Sequence, residues 1–226
     1  LINKGKVAMR LIKKLVFVMG FVYALTANAE VQLSAHQVME NTTAEVMAVL
    51  AEAREYHQTE PERYYQEIHR VLDDLVDFGA FSRGVMGDHA SGEHYRSLDR
   101  EGKMKLREQV KRLSSVIRVA LVRTYGKGLL AFSGSEVEIL PPDSAEDEAS
   151  GATVVQLIRG SGEQPYEIRY KLRKDSKGKW TLRNITVESV NLGQIYRSQF
   201  EAALKEYQGD IDKVIDNWSV NSTESA

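Results

Sequence analysis

The apolar pattern of this chain changes period once, near Gly134, and that change restricts the fold more than any single motif. Before it, apolar residues recur every three or four positions; after it they alternate with polar ones. Ser34 is placed to cap a helix carrying Val38, Val46, Val49 and Ala53 on one face. Thr59 and Glu62 have the spacing of a capping box, with Pro61 in the first turn, ahead of Ile68, Leu72 and Leu75. Asp77 caps a shorter turn from Phe81 to Met86, and Gly84, Gly87 and Gly92 then break the pattern around a polar loop. Ser97 opens the longest helix, predicted to run to about Arg123. Its Leu106, Val110, Leu113, Ile117, Ala120 and Thr124 make one continuous stripe. Val116 to Val122 is apolar almost all round except Arg118, so it must be buried on several sides or border something apolar.

Beyond Gly134, Val137 and Ile139 alternate with Glu136 and Glu138, and Pro141-Pro142 ends that strand. An acidic loop, Asp143 to Ser150, leads into the β-branched run Ala152 to Ile158. Tyr166, Ile168, Tyr170 and Leu172 alternate with charged residues in the cleanest strand of the chain. Trp180, Leu182, Ile185 and Val187 form the last strand, and their phase slips at Arg183-Asn184, which predicts a β-bulge. Asn191 caps a helix through Gln208, and Asp210 to Trp218 forms a final short one. The class is α+β: a twisted, four-stranded antiparallel sheet with helices on one face. A single domain is expected over 30–226, with a helical part at 34–125, a sheet at 129–190 and C-terminal helices at 191–218.

The segment from Met9 to Ala29 reads as a cleaved export signal. Arg10, Lys13 and Lys14 precede an uncharged apolar run from Leu15 to Leu25, and Ala27-Asn28-Ala29 supplies a small-x-small cleavage pattern. The run is too short for a helix spanning a bilayer, which needs about 20 residues. Leu1 to Ala8 are expected to be upstream residues, with the mature chain starting at Glu30. Without residues 1–29, which carry five basic and no acidic residues, 25 basic residues face 32 acidic ones, a net of −7. That balance argues against nucleic acid as a partner and against permanent adhesion to anionic membranes. The chain has no cysteine, which excludes disulfides, thiol catalysis and thiolate metal sites.

Catalytic constellations are sparse. The five histidines form no helical His-x-x-x-His pair, and Asp88-His89 with Glu93-His94 match no familiar zinc spacing. There is no Gly-x-Ser-x-Gly elbow, and Gly160-Ser161-Gly162 lacks the lysine of a phosphate loop. No metal or cofactor is therefore called for. The stripes and alternation turn fourteen residues inward: Phe81, Leu113, Ile117, Ala120, Leu121, Val137, Ile139, Val154, Ile158, Ile168, Tyr170, Leu172, Ile185 and Val187. Periodicity does not separate a filled core from a lined cavity. From these residues alone, a binding protein, a secreted hydrolase using Asp88 to His94, and a solid-core structural protein all stay open.

A further set of residues carries a resemblance. Tyr196-Arg197-Ser198-Gln199-Phe200 follows the strand from Trp180. Val76-Asp77-Phe78, Ser82-Arg83 and Val85-Met86-Gly87 precede Leu121-Val122-Arg123-Thr124-Tyr125. With Pro165, Ile168 to Leu172 and Val187-Glu188 in the same order, the chain resembles the MlaC family of periplasmic phospholipid carriers from about Val38 to Trp218. The loop Asp88 to Arg96 departs from the family pattern in length, and has Tyr95 where a Trp is common. The resemblance implies a protein that is not an enzyme. It would be a periplasmic carrier whose fourteen inward residues line an apolar lipid cavity, with a diacyl phospholipid as cargo and no cofactor. Arg123 and Tyr125 would be candidate contacts for the headgroup. The implied partners are an outer-membrane lipoprotein–porin complex and an inner-membrane ABC lipid transporter, with outer-membrane lipid asymmetry as the outcome.

Overall fold

The computed structural model describes residues 32–131, 135–142, 151–159 and 164–218. The export signal, the acidic loop at 143–150 and the glycine-rich turn at 160–162 lie outside them. Among the described residues no helix is long and apolar enough to cross a membrane.

Helix α1 (Ala35–Tyr56) starts at Ser34, which forms a full capping box with Gln37. Helix α2 (Pro61–Leu75) has Pro61 at its first position, but Glu60 is its N-cap and makes no side-chain bond. The Thr59 capping box is therefore corrected. The Thr59 hydroxyl donates backwards to the Tyr56 carbonyl at 3.1 Å and finishes α1 instead. Helix α3 (Phe78–Met86) is capped by Asp77, as its spacing predicts. The polar stretch that follows is a 3-10 turn (Gly87–Ala90) and the short helix α4 (Gly92–Ser97).

The long helix α5 spans Arg100–Ala131. It starts three residues after Ser97, where Asp99 accepts from the Gly102 amide at 2.8 Å, and it ends eight residues beyond Arg123. Gly126 does not stop it because two rings of α2 fill the space a side chain would take. A Cβ there would meet the Tyr65 ring at 3.1 Å, and the Tyr64 hydroxyl donates to the Gly126 carbonyl at 2.7 Å. The last residues of α5 thus occupy positions the sequence assigns to the start of the sheet.

Five strands follow in a meander, not four: β1 (Glu136–Ile139), β2 (Ala152–Arg159), β3 (Tyr166–Lys174), β4 (Trp180–Val187) and β5 (Val190–Asn191). All neighbours pair antiparallel. Lys171 pairs with Asn184 while Leu172 pairs with Leu182, so Arg183 is the extra residue of a β-bulge, where the phase slip places it. Helix α6 (Leu192–Glu206) is capped by Asn191, and α7 (Ile211–Asp216) by Asp210.

The register puts every even-numbered residue of β2 and β3, together with Val137, Ile139, Trp180, Leu182, Ile185 and Val187, on one face. Helices α1, α2, α3 and α6 border this face, whereas α5 packs on α1, α2, α3 and α7. Among the described residues the interior is accordingly divided into three apolar clusters. One lies between α3, α5, α6 and α7, one between α1, α2 and α5, and one between the sheet, α1 and α2.

Candidate functional site

Among the described residues, no apolar cluster joins α5 to the sheet. This is the central fact about the inward residues, because it sorts them into groups that do different work. Phe81, Leu113 and Ile117 belong to the helical cluster, with Leu113 and Ile117 at 0 % exposure beside Tyr196 and Phe200. Leu121 packs on the edge of that cluster, and Ala120, one turn from Val116, is half-buried. Val154 and Leu172 belong to the sheet cluster, with Ile139, Tyr170 and Ile185 packed at its margin. Val137, Ile158, Ile168 and Val187 share the same sheet face but enter none of the three clusters. Three of these four are only half-buried, and Tyr166 at the end of the same face is 48 % exposed. One end of the sheet is closed by Ala35, Met39 and Leu75, and toward the other the apolar side chains join no cluster among the described residues.

A polar link crosses the covered half. Gln156 lies on the inner face of β2 at 4 % exposure, donates to Thr43 of α1 at 2.8 Å and accepts from the Tyr170 hydroxyl at 2.6 Å. Burial pushes the Tyr170 pKa upward, so the hydroxyl stays a proton donor at ordinary pH. Sequence reasoning missed Gln156. The available signal is a glutamine at an inward position between Val154 and Ile158, where an apolar residue is the default.

The bulge ties the sheet to α3. Arg183 donates to Asp77 at 2.6 Å, and the other oxygen of Asp77 caps α3 through Ala80. Next to it, Asn184 donates to Asn191 at 2.9 Å and accepts from the Gly193 amide at 3.0 Å, which holds the start of α6 against β4. A Cβ on Gly193 would sit 2.7 Å from the Asn184 oxygen, so this junction requires glycine. From here α6 delivers Tyr196 and Phe200 into the helical cluster.

Of the two candidate headgroup residues, Arg123 is half-exposed, donates to Glu62 at 2.9 Å and lies 5.3 Å over the Tyr65 ring. It already has two partners on α2. Tyr125 is half-buried, and burial raises its pKa. Asp88, His89, Glu93 and His94 are exposed, and among the described residues no three His, Asp or Glu side chains gather as metal ligands would. An open pocket of about 840 Å³ lies elsewhere, between α3, α4, α5 and α6, and contains none of the fourteen inward residues.

This combination of a curved antiparallel sheet, a surround of helices and an apolar face left partly uncovered defines an α+β binding protein built around its sheet. The family model of the MlaC protein matches residues 40–220, and the chain belongs to the MlaC family. The toluene tolerance protein ttg2D of Pseudomonas putida is 27% identical over 184 residues, covering 81% of this chain and 79% of that one. Among solved structures, the phospholipid-binding protein from Ralstonia solanacearum, determined in complex with a phospholipid, shares the fold. Its TM-score is 0.63 at 18% identity, over 81% of this chain and 94% of the other. Membership places the chain among binding and transport proteins rather than enzymes.

Proposed function

We propose that this chain is a periplasmic carrier that shelters the acyl chains of a diacyl phospholipid between its sheet and its helices. In this reading it moves lipid between an outer-membrane lipoprotein–porin complex and an inner-membrane ABC transporter. The observation that carries it is the partly exposed sheet face, where Val137, Ile168 and Val187 lie half-buried outside every apolar cluster of the described residues. Apolar side chains aligned on one face, half-buried and outside the apolar clusters of the described residues, point to an apolar ligand. The relative from Ralstonia solanacearum, whose fold is shared, binds a phospholipid, which supports the same class of ligand.

The energetics fit. At ~0.8 kcal/mol per buried methylene, two chains of about 15 methylenes each gain on the order of 20 kcal/mol of shelter. Only an extended apolar surface supplies that. The lining would come from the sheet residues with Ala120 and Leu121, while Phe81, Leu113 and Ile117 support it from the closed helical core. Arg123 and Tyr125 would flank the headgroup. Solvent extraction of the purified protein followed by mass spectrometry tests the proposal. A diacyl phospholipid is expected at near-stoichiometric amount, and lipid-free protein recovered from cells with intact membranes would refute it.

A further inference from the structure

The open pocket on the helical side has a composition unlike the rest of the surface. Its floor is Leu106, which is buried, with half-buried Val110 and Ala90, and the Tyr95 ring forms a wall. Three guanidinium groups, Arg83, Arg107 and Arg197, line it with one carboxylate, Asp88, and a second, Glu201, pairs with Arg197 from outside the lining. Beyond residue 29 the chain has 25 basic and 32 acidic residues, so this local excess of cations opposes the net charge of the molecule.

Two of the arginines are fixed in place. Arg107 donates to the Tyr95 hydroxyl and stacks 5.4 Å from its ring centroid, which sets the orientation of the wall. Arg197 is held by Glu201 at 3.0 Å and reaches Asp88 only at 3.7 Å. Its guanidinium lies directly across Gly87, whose φ is +56° and where a Cβ would be 2.8 Å away. Any other residue at 87 would drive the cation off the pocket. Arg83 is exposed and has no ion-pair partner among the described residues. Gly84 and Gly92 leave the wall open between these groups.

We propose that this pocket binds the phosphate group of an amphiphilic anion. Arg83 and Arg197 take the phosphate, and Leu106, Val110 and the Tyr95 ring take the apolar body. Guanidinium groups match phosphate oxygens two at a time, and the lining supplies one without an ion-pair partner among the described residues and one oriented by a neighbouring carboxylate. The volume is that of a site for a compact ligand, and a recessed floor is out of reach of a flat bilayer surface. The site shares no lining residue with the sheet face and does not depend on the acyl-chain reading. A phospholipid bearing a free phosphate and a soluble organic phosphate offer the same chemistry.

The test follows the backbone amides of Gly84, Gly87 and Gly92 by NMR in the full, delipidated protein. It compares 1-naphthyl phosphate, 1-naphthol, inorganic phosphate and dihexanoyl phosphatidic acid. Saturable shifts with naphthyl phosphate are expected, with naphthol and inorganic phosphate far weaker. Shifts from dihexanoyl phosphatidic acid alone would assign the site to lipid, and shifts from both would assign it to organic phosphates in general; either supports the proposal. Arg83→Gln should weaken binding by about tenfold, as loss of one charge-assisted contact does, with Arg83→Lys recovering part of it and neither changing the melting temperature. Equal shifts from inorganic phosphate and chloride would mean an adventitious ion only, and would overturn the proposal. So would binding indifferent to Arg83→Gln. Loss of binding to anionic vesicles in Arg83→Gln, with no response to any soluble phosphate, would make this face a membrane contact and overturn it as well.

Discussion

Replacing Gln156 by Leu removes a buried polar link between α1 and the sheet at almost constant side-chain volume. The Tyr170 hydroxyl loses its acceptor at 2.6 Å inside an apolar layer, and Thr43 loses its donor at 2.8 Å. An orphaned buried hydroxyl costs about 1–3 kcal/mol, and the part-exposed Thr43 recovers water for most of its loss. The added apolar burial of leucine offsets roughly 1 kcal/mol. A net loss of about 1 kcal/mol follows, or a melting temperature lower by roughly 2–4 °C for a domain of this size. Removing the orphan as well, in Gln156→Leu with Tyr170→Phe, should restore most of the loss, because deleting both partners of a buried hydrogen bond is nearly neutral. Urea titration of delipidated protein is the assay, since bound ligand adds its own stability to the folded state. A single variant within 0.5 kcal/mol of wild type, or a double variant less stable than the single one, would refute the reasoning.

Two further outcomes follow from the same geometry. Ile185→Trp on the sheet and Ala120→Trp on α5 should keep the protein folded and lower co-purified lipid, whereas Ile117→Trp, at 0 % exposure among Phe81, Tyr196 and Phe200, should destabilise it by overpacking by about 1–3 kcal/mol. Circular dichroism melts read beside lipid mass spectra separate the two effects, and an unchanged lipid content in folded Ile185→Trp would remove that residue from the lining. His69 is the second case. Burial, then the nearby Arg118 charge, lowers its pKa below 6.5, so the unfolded chain binds the proton more readily. Its contribution to stability is full above pH 6.5 and falls away as the pH drops toward the folded-state value. Denaturation midpoints across that window should therefore fall less steeply in His69→Gln, and identical pH slopes would exclude the effect.

How legible this molecule is in its sequence depends on how far each residue's partner lies along the chain. Ser34, Asp77 and Asn191 cap helices within three residues of themselves, and all three are readable. The bulge at Arg183 is readable because it shifts a local alternation. The end of α5 is not, because the partner that packs on Gly126 and bonds its carbonyl is Tyr64, 62 residues earlier. Gln156 stands out locally, yet its partner Thr43 lies 113 residues away. The inward set shows a limit of another kind. Periodicity reports that Ile117 and Ile168 both point inward, but the interior is in three parts, and only the tertiary arrangement assigns Ile117 to a filled cluster and leaves Ile168 outside all of them.

That division carries a consequence for how a protein of this kind holds cargo. Besides the apolar cluster it shares with α1 and α2, the sheet is fastened to its helices by polar pins: Gln156 to α1, Arg183 to α3, and Asn184 to the start of α6. Each pin is directional and fixes a distance, whereas an apolar core between α5 and the sheet would close the space between them. The helical cluster around Leu113, Ile117 and Phe200 keeps α5 in place without the sheet. An apolar face could then, in the carrier reading, take a ligand without disturbing the cores on either side of it. In the carrier reading, the ligand completes the packing that the chain leaves undone. Its affinity then scales with the apolar area it buries, which is much the same for phospholipids of equal chain length. Selection among headgroups would have to come from residues at the opening. Arg123, the candidate headgroup residue, is already engaged by Glu62 and Tyr65, so in that reading the carrier would discriminate chiefly by its tails.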